Sequence, residues 1–147
     1  MKKIGIKSGA WSLWHAGHTW CIQKCREYCD YLIILANDDD YVLNKKGICP
    51  ISLEDRLYII KHVNGVNEVG YFSELTEHSW IENFKNNRLY KEFGKSANLI
   101  VFHSDELKNI NKEKLPGYGI ADEIVFIDKI NRPQSVTKIF NQIRSNE

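Results

Sequence analysis

The sequence predicts an α/β fold: a Rossmann-like, doubly wound, mainly parallel five-stranded sheet with helices on both faces. Two observations lead to this prediction. Short apolar segments that suit strands alternate along the chain with segments that suit helices, which is typical of parallel β-α-β units. In addition, residues 31–36 form a continuous apolar run, as expected for a strand that is covered on both sides.

The expected strands are residues 3–7, 31–36, 68–72, 99–102 and 122–127. The expected helices are residues 17–28, a segment that begins after Ser52, residues 78–93 and residues 134–143. Residues 108–119 are expected to form a surface loop. In a sheet of this kind the ligand lies beyond the carboxyl ends of the strands. The loops of interest are therefore residues 8–16, 37–51, 103 onward and 129–135.

Composition limits the class of protein. The chain has 147 residues, of which 43% are hydrophobic and 27% charged, which is typical of a single globular domain. Its net charge of +1 does not favour a nucleic acid or a membrane surface as a partner. No apolar run reaches the roughly 18 residues of a membrane span, and Lys7 interrupts the first apolar segment too early for a signal peptide. We therefore expect a cytoplasmic protein with no nucleic-acid or membrane partner.

Three cysteines follow one another at intervals of four residues: Cys21, Cys25 and Cys29. This spacing would place them along one face of a helix. A zinc site usually needs a second pair of ligands downstream, and Cys49 alone does not supply one. We interpret the three as small apolar residues on the buried side of a helix, with a metal or redox site as the alternative.

The segment His15-Ala16-Gly17-His18 lies between the first strand and the first helix. On one helical turn both histidine rings can face the same point, and Gly17 leaves that point clear. The helix N-terminus would add free N–H groups and the positive end of a dipole. Two imidazoles can stabilise charge that develops on a phosphate, and phosphoryl-type transfer depends mainly on such stabilisation. The alternative is one core histidine and one exposed histidine.

Residues 9–18 resemble the cytidylyltransferase-like nucleotidyltransferases, a family with an H-x-G-H signature. The likeness continues through residues 46–56, which are similar to the family's lysine, glycine, proline and E-D-R stretch, and through residues 66–69, which are similar to its V-D-E-V. Near the end, residues 132–139 resemble its second signature, which usually ends S-T-T-K. Two branches are most similar: the glycerol-3-phosphate cytidylyltransferases and the adenylyltransferase domain of ADP-heptose synthase.

The resemblance implies a role for each matching position. The catalytic residues would be His15 and His18, acting at the α-phosphate, and Lys46, which would bind phosphates or substrate. Nucleotide contacts are implied for Ser8, Gly9, Ala10, Gly17, Arg132, Ser135 and Thr137. Lys45 would contact the substrate, and Arg56 would hold the substrate's phosphate or brace the site.

The resemblance also implies partners. CTP or ATP would be the nucleotide and a phosphorylated small molecule the acceptor. Mg²⁺ would bridge the phosphates and help pyrophosphate to leave. Family members are commonly homodimers, so a homodimer is expected.

Several positions have a structural alternative. Lys45 and Lys46 also suit a solvated pair in a loop. Arg56 also suits an ion pair on a helix surface, and Ser135 an N-cap that needs no ligand. The three aspartates at residues 38–40 could bind a metal, but adjacent carboxylates in a loop more often face solvent.

Some positions depart from the family's pattern. Ser12 stands where the family has aspartate, which removes a charge near the site. His103 follows the fourth strand, where a glycine-rich turn near the base is usual. Pro133 replaces a glycine, and Arg132 is the nearest cation to an expected arginine. These departures affect the prediction of base and acceptor more than the prediction of phosphate chemistry.

The leading hypothesis is an enzyme that transfers a nucleoside monophosphate from CTP to a molecule such as glycerol 3-phosphate or a sugar or polyol phosphate, with release of pyrophosphate. CTP is preferred because a short domain resembles the stand-alone cytidylyltransferases. One alternative is an adenylyltransferase that uses ATP and a sugar phosphate, because residues 46–56 are nearer the heptose-type domain. The other is a non-catalytic nucleotide-binding module, which Ser12 and His103 motivate.

Overall fold

The computed structural model describes residues 1–73, 77–128 and 135–146. Its strands are β1 (Lys3–Gly9), β2 (Tyr31–Asn37), β3 (Glu68–Phe72), β4 (Asn98–Ser104) and β5 (Glu123–Ile127). All neighbouring strands pair in parallel, in the order β3-β2-β1-β4-β5. The direction of winding therefore reverses between β1 and β4, as in a Rossmann-like doubly wound sheet. The predicted fold class is confirmed.

The helices are α1 (Ala16–Arg26), α2 (Asp39–Lys46), α3 (Leu53–Lys61), α4 (Glu77–Phe84), α5 (Tyr90–Phe93) and α6 (Val136–Ser145). A π-helical turn, Lys85–Leu89, joins α4 to α5, so the helix predicted over residues 78–93 is present. Within the described ranges, no helix has the length and apolar character needed to cross a membrane.

The sheet is covered on both faces because β2 presents apolar side chains in both directions. Leu32 and Ile34 belong to the apolar cluster that includes α1 and α3, whereas Ile33 and Leu35 belong to the cluster that includes α4. All four side chains are fully buried. This two-sided burial explains why residues 31–36 read as one continuous apolar run.

Of the three cysteines predicted on one helix face, one is placed as expected. Cys25 and Cys29 are buried in the cluster between α1 and the sheet, and burial raises the pKa of the Cys29 thiol to about 11. The interpretation as a small apolar residue on the buried side of a helix is confirmed for Cys25, whereas Cys29 is buried but lies beyond the end of α1, so the three cysteines do not share one helix face. Cys21 is only partly buried.

The prediction of a loop over residues 37–51 is wrong, because this stretch contains α2. The Asp38 side chain accepts the Tyr41 N–H at 2.9 Å and caps the first turn. Gly47, with φ of +75°, ends the helix in the left-handed conformation. Both capping residues are visible in the sequence. The helix buries only Val42, so no apolar periodicity marks it.

The stretch predicted as a surface loop, residues 108–119, is partly buried. Leu115 is buried, and Gly117 has φ of +89° and lies so close to β4 that an added Cβ would meet a Val101 methyl carbon at 2.9 Å. The backbone of this loop therefore lies directly against the sheet, at the middle of β4.

Candidate functional site

A cleft of about 330 Å³ opens at the carboxyl ends of β1, β4 and β5 and includes the N-termini of α1 and α6. It brings together eight of the predicted site residues: Gly9, Ala10, His15, Gly17, His18, Lys46, Ser135 and Thr137. Ser8 and Lys45 line an adjoining cavity. Arg132 lies outside the described residues. The cleft occupies the position that the reversal of winding predicts for a ligand.

The two histidines of the first signature form a reciprocal cap on α1. Nδ1 of His15 accepts the Gly17 N–H at 3.0 Å, and Nδ1 of His18 accepts the His15 N–H at 3.3 Å. The rings are stacked, with centroids 3.8 Å apart and an angle of 23° between their planes. Because each Nδ1 accepts a hydrogen bond, each neutral ring carries its proton on Nε2. Both rings therefore carry an N–H donor at Nε2.

One expectation about Gly17 needs correction. We expected its N–H to be free for a phosphate, but it donates to His15. Gly17 is buried, lines the cleft and carries no side chain. The positive end of α1 therefore acts at this residue on the imidazole of His15, and Gly17 contributes mainly by leaving space.

Two tryptophans hold the ring of His18. Its centroid lies 5.2 Å from that of Trp11, in an edge-on arrangement, and 5.1 Å from that of Trp14. Trp11 is fixed in turn, because its Nε1 donates to the buried Leu35 carbonyl at 3.0 Å. Sequence reasoning missed this support, although two tryptophans beside the first histidine are a visible signal. They limit the orientations open to the His18 ring.

Gly9 is required by packing as well as by any ligand. A Cβ at this position would lie 2.8 Å from Cε2 of Trp11. Trp11 itself has φ of +51°, a conformation in which a bulky residue is rare. A larger residue at position 9 would therefore displace the indole that contacts His18.

Arg56 lies behind the site rather than in it. Its side chain is 1% exposed. Its Nη1 donates to the carbonyls of Ala10 and Asn37, both at 2.7 Å, and its Nε donates to the Ile51 carbonyl at 3.0 Å. Its Nη2 contacts Asp39 at 2.7 Å. The expected contact with a substrate phosphate does not suit so buried a guanidinium, and the ion pair named as the alternative exists, with Asp39, but Arg56 is not on the helix surface. The bracing role stays a prediction.

The aspartates after β2 are used by the protein itself. Asp38 caps α2. The hydrogen bond from Arg56 lowers the pKa of the Asp39 carboxyl. Across residues 1–73, 77–128 and 135–146, no group of three or more histidine, cysteine or acidic side chains is arranged to hold a metal ion.

Lysines and helix-capping residues from the other predicted segments lie at the cleft or at the cavity beside it. Lys46 ends α2 and lines the cleft, and the Lys45 ammonium lies 3.1 Å from the Tyr41 hydroxyl. The Ser135 side chain accepts the Lys138 N–H at 3.1 Å and caps α6. Thr137 lies in the first turn of α6 and lines the cleft.

Two further polar residues stand out at the cleft. Ser12 is 1% exposed, and among the described residues its Oγ has no hydrogen-bond partner. Lys7 is buried in the central strand and lines the cleft, and its ammonium donates to the Ser8 carbonyl at 2.7 Å. Sequence reasoning did not select Lys7, although a lysine within an apolar central strand is an available signal.

Comparison with known proteins gives sequence relatives for this chain. No family model matches it. It is 29% identical over 148 residues to Bifunctional protein HldE of Aliarcobacter butzleri and 30% identical over 146 residues to the protein of that name from a Nitratiruptor species. These alignments cover 99% and 98% of this chain and 28% of each relative.

A shorter alignment gives 35% identity over 69 residues with glycerol-3-phosphate cytidylyltransferase of Bacillus spizizenii, covering 47% of this chain and 53% of that protein. The chain thus spans about a quarter of the first two relatives, and the alignment covers about half of the third. These relatives confirm the predicted resemblance to nucleotidyltransferase enzymes.

Solved structures confirm the fold. The lipopolysaccharide core biosynthesis protein from Thermoplasma volcanium superimposes with a TM-score of 0.66 at 18% identity, covering 86% of this chain and 97% of that one. NadR protein, solved in complex with NAD and AMP-PNP, superimposes with a TM-score of 0.59 at 17% identity, covering 99% of this chain and 42% of that one.

Proposed function

We propose that the chain is a nucleotidyltransferase that moves a nucleoside monophosphate from CTP to a phosphorylated small molecule, such as glycerol 3-phosphate or a sugar or polyol phosphate. An oxygen of the acceptor's phosphate attacks the α-phosphorus. The bond from the α-phosphorus to the oxygen that bridges to the β-phosphorus breaks, and pyrophosphate leaves. The observation that carries the proposal is the stacked histidine pair at the N-terminus of α1, in a cleft that also contains Lys46 and the N-terminus of α6.

The histidines stabilise the charge that develops on the α-phosphate. Each neutral ring offers its Nε2–H to a non-bridging oxygen, and each ring is oriented before substrate binds, because its Nδ1 is held by a backbone N–H. Donors fixed in advance need no reorganisation during the reaction. Removing one donor of this kind typically lowers kcat by about 100- to 1000-fold.

Residues around the histidines hold the rest of the triphosphate. The backbone at Gly9 and Ala10 approaches the phosphates, and Lys46 adds positive charge. Ser135 and Thr137 stand at the N-terminus of α6, whose dipole favours an anion. They bind the outer phosphates that depart as pyrophosphate. From its place in the sequence, Arg132 adds a second cation.

Mg²⁺ would be held mainly by the nucleotide's own phosphates. The described residues contain no cluster that would hold the ion by itself, and Mg²⁺ is commonly bound mainly through substrate phosphates and water. When bound, it neutralises phosphate charge and helps pyrophosphate to leave. The steps assigned to the histidines, Lys46 and α6 do not depend on a metal held by the protein.

Arg56 positions the loop that carries the site. Its guanidinium joins the loop after β1 to the end of β2 through the carbonyls of Ala10 and Asn37. Since Ala10 lines the cleft, this link fixes backbone that contacts the nucleotide. Arg56 therefore acts on catalysis through positioning.

ATP is the second candidate nucleotide. Residues 46–56 are nearer the heptose-type adenylyltransferase, and the sequence alignments with Bifunctional protein HldE run along nearly the whole chain, whereas the alignment with the cytidylyltransferase covers about half.

We also propose that the protein is a cytoplasmic homodimer. Light scattering behind a sizing column tests the dimer, and a monomer at micromolar concentration would contradict it.

A turnover screen tests the proposed activity. CTP and ATP are each combined with Mg²⁺ and with glycerol 3-phosphate, ribose 5-phosphate or heptose 1-phosphate, and pyrophosphate is measured. We expect pyrophosphate release with one of the two nucleotides. In His15→Ala and in His18→Ala the rate of release should fall by about 100-fold or more. His62→Ala is the matched control, because His62 is exposed at the end of α3. Wild-type rates in either cleft variant would exclude the mechanism, and no release with any pair would exclude the activity.

A further inference from the structure

A second cavity, of about 290 Å³, adjoins the histidine cleft. The two share residues at the end of β1, at the end of α2 and after β4: Lys7, Gly9, Ala10, Lys46, Ser104 and Glu106. A molecule in the second cavity therefore meets a nucleotide in the first along Gly9, Ala10 and Lys46. This placement suits the acceptor of the proposed transfer, which must present an oxygen to the α-phosphorus.

One part of the second cavity carries positive charge. Lys45 and Lys46 come from the last turn of α2, and Lys7 comes from β1. The Lys45 side chain lies against Tyr41, with its ammonium 3.1 Å from the hydroxyl and 5.4 Å from the ring centroid. Ammonium groups from two elements favour a phosphate dianion. Glu106 also lines the side shared with the histidine cleft, but the three lysines outnumber it, so this side suits the acceptor's phosphate.

His103 supplies a different chemistry to the same cavity. Its ring is 5% exposed, and its Nε2 lies 2.9 Å from the Pro116 carbonyl. A carbonyl only accepts hydrogen bonds, so Nε2 carries the proton, and Nδ1 of the neutral ring is an acceptor. Burial lowers the pKa of His103, which favours the neutral ring. No described residue donates to Nδ1, so the atom of His103 that can bind a ligand group in the cavity is an acceptor.

Glu77 adds a second acceptor. It begins α4, lines the same cavity and is close enough to His103 to affect it electrostatically. A carboxylate and the Nδ1 of a neutral imidazole both accept hydrogen bonds, so both require a donor from the ligand. A phosphate monoester whose other end is a hydrocarbon would leave both acceptors without a donor from the ligand, and this is costly at the buried ring of His103.

We propose that His103 and Glu77 are specificity-determining residues that accept hydrogen bonds from hydroxyl groups of the acceptor, at the end away from its phosphate. The inference rests on the proposed function and assigns to the acceptor side a residue, His103, that the family resemblance associates with the base. The acceptor is a hydroxylated phosphate monoester. An ammonium at that end of the acceptor would also donate to Glu77 and His103, so ethanolamine phosphate is the competing class of acceptor in the test.

Matched acceptors test the proposal. Glycerol 3-phosphate is compared with propyl phosphate, and ribose 5-phosphate with pentyl phosphate, so that each pair keeps the carbon count and the reacting phosphate. We expect the wild-type protein to favour the better hydroxylated acceptor over its alkyl partner by about tenfold or more in kcat/KM, since a site built to bind a hydroxyl discriminates strongly against its absence. Binding to the protein saturated with a non-hydrolysable nucleotide analogue should show the same preference.

The variants separate specificity from structure. His103→Phe keeps a ring of similar size, and Glu77→Gln alters a partly exposed helix terminus and guards against misfolding of the first variant. Each should raise KM for the hydroxylated acceptor about tenfold and leave KM for the alkyl phosphate within about twofold. His62→Phe should change neither, because His62 lies outside both cavities.

Three results would overturn the inference. The first is an equal kcat/KM of the wild-type protein for alkyl and hydroxylated phosphates. The second is an equal rise in KM for both kinds of acceptor in the two variants. The third is a preference for ethanolamine phosphate over every hydroxylated acceptor. The absence of pyrophosphate release together with selective binding of the hydroxylated acceptor would instead contradict the proposed activity alone.

Discussion

His18 is held by contacts on several sides. Its Nδ1 accepts the His15 N–H, one face stacks on the His15 ring, and Trp11 and Trp14 lie against it. A ring held in this way has few orientations to lose when a ligand binds. The structure therefore supports a donor that is in place before the reaction begins.

Arg56 and Asp39 connect the segments behind the cleft. The guanidinium contacts three backbone carbonyls and one carboxylate, and the side chain is almost fully buried. The E-D-R motif predicts an arginine near the site, but a motif does not reveal which groups its donors face. That depends on the course of the loops after β1 and β2, which brings carbonyls far apart in sequence to one side chain.

We predict that Asp39→Asn destabilises the protein only where the carboxylate is ionised. The hydrogen bond from Arg56 lowers the pKa of Asp39 from an ordinary value of 3.8. This carboxylate therefore stabilises the fold fully above that ordinary value, and its contribution is lost as the pH falls through the lowered value. Urea denaturation should show a wild-type advantage at pH 7 that shrinks below about pH 4.

Asp40→Asn is the control for this prediction. Asp40 lies in the same first turn of α2, so it shares the favourable dipole position, but its side chain has no described contact with Arg56. We expect a smaller effect at pH 7. A deficit in Asp39→Asn that is the same at pH 7 and at pH 3 would contradict the assigned role of the ion pair.

The elements of the fold differ in how well the sequence predicts them. The strands are predictable because each is a short apolar run, and β2 also shows its two-sided burial. Helix α2 is not, because it buries only Val42 and its ends are marked only by Asp38 and Gly47. The loop after β4 is misjudged for a related reason: Gly117 suggests a turn, but only the tertiary structure shows that the turn packs on Val101.

We predict that Gly117→Ala is more destabilising than Gly94→Ala. Both glycines have positive φ, +89° and +97°, so alanine is strained at both. A Cβ at Gly94 would meet nothing within 4 Å, whereas a Cβ at Gly117 would meet Val101 at 2.9 Å. Urea unfolding should show a loss of about 1 to 3 kcal/mol for Gly94→Ala, whose ψ of 162° lies in a region open essentially only to glycine, and about 1 to 3 kcal/mol more for Gly117→Ala.

Gly117→Ala should also affect the second cavity. The Gly117 N–H donates to His78 at 3.1 Å, and the adjacent Pro116 carbonyl orients His103. We expect Gly117→Ala, and not Gly94→Ala, to weaken selection of hydroxylated acceptors. Equal unfolding losses in the two variants would show that the loop does not pack on β4 as described.

At the scale of the whole molecule, topology brings the site together. The strand order puts β1 beside β4, so segments from residues 9–18, from the end of α2 and from the start of α6 converge at one edge of the sheet. The order of the motifs along the sequence predicts this convergence once the fold class is known. The cavity proposed for the acceptor is less predictable, because His103 and Glu77 come from segments that no motif links.

The most direct test of the central claim is transfer of label from the α-phosphate. CTP and ATP labelled at the α-phosphorus are incubated separately with Mg²⁺, a hydroxylated phosphate monoester and the protein, and product and pyrophosphate are quantified. We predict labelled acceptor and pyrophosphate in equal amounts with one of the nucleotides, and a rate at least about 100-fold lower in His18→Ala. Nucleotide binding without transfer from either nucleotide, or transfer that His18→Ala does not slow, would contradict the account.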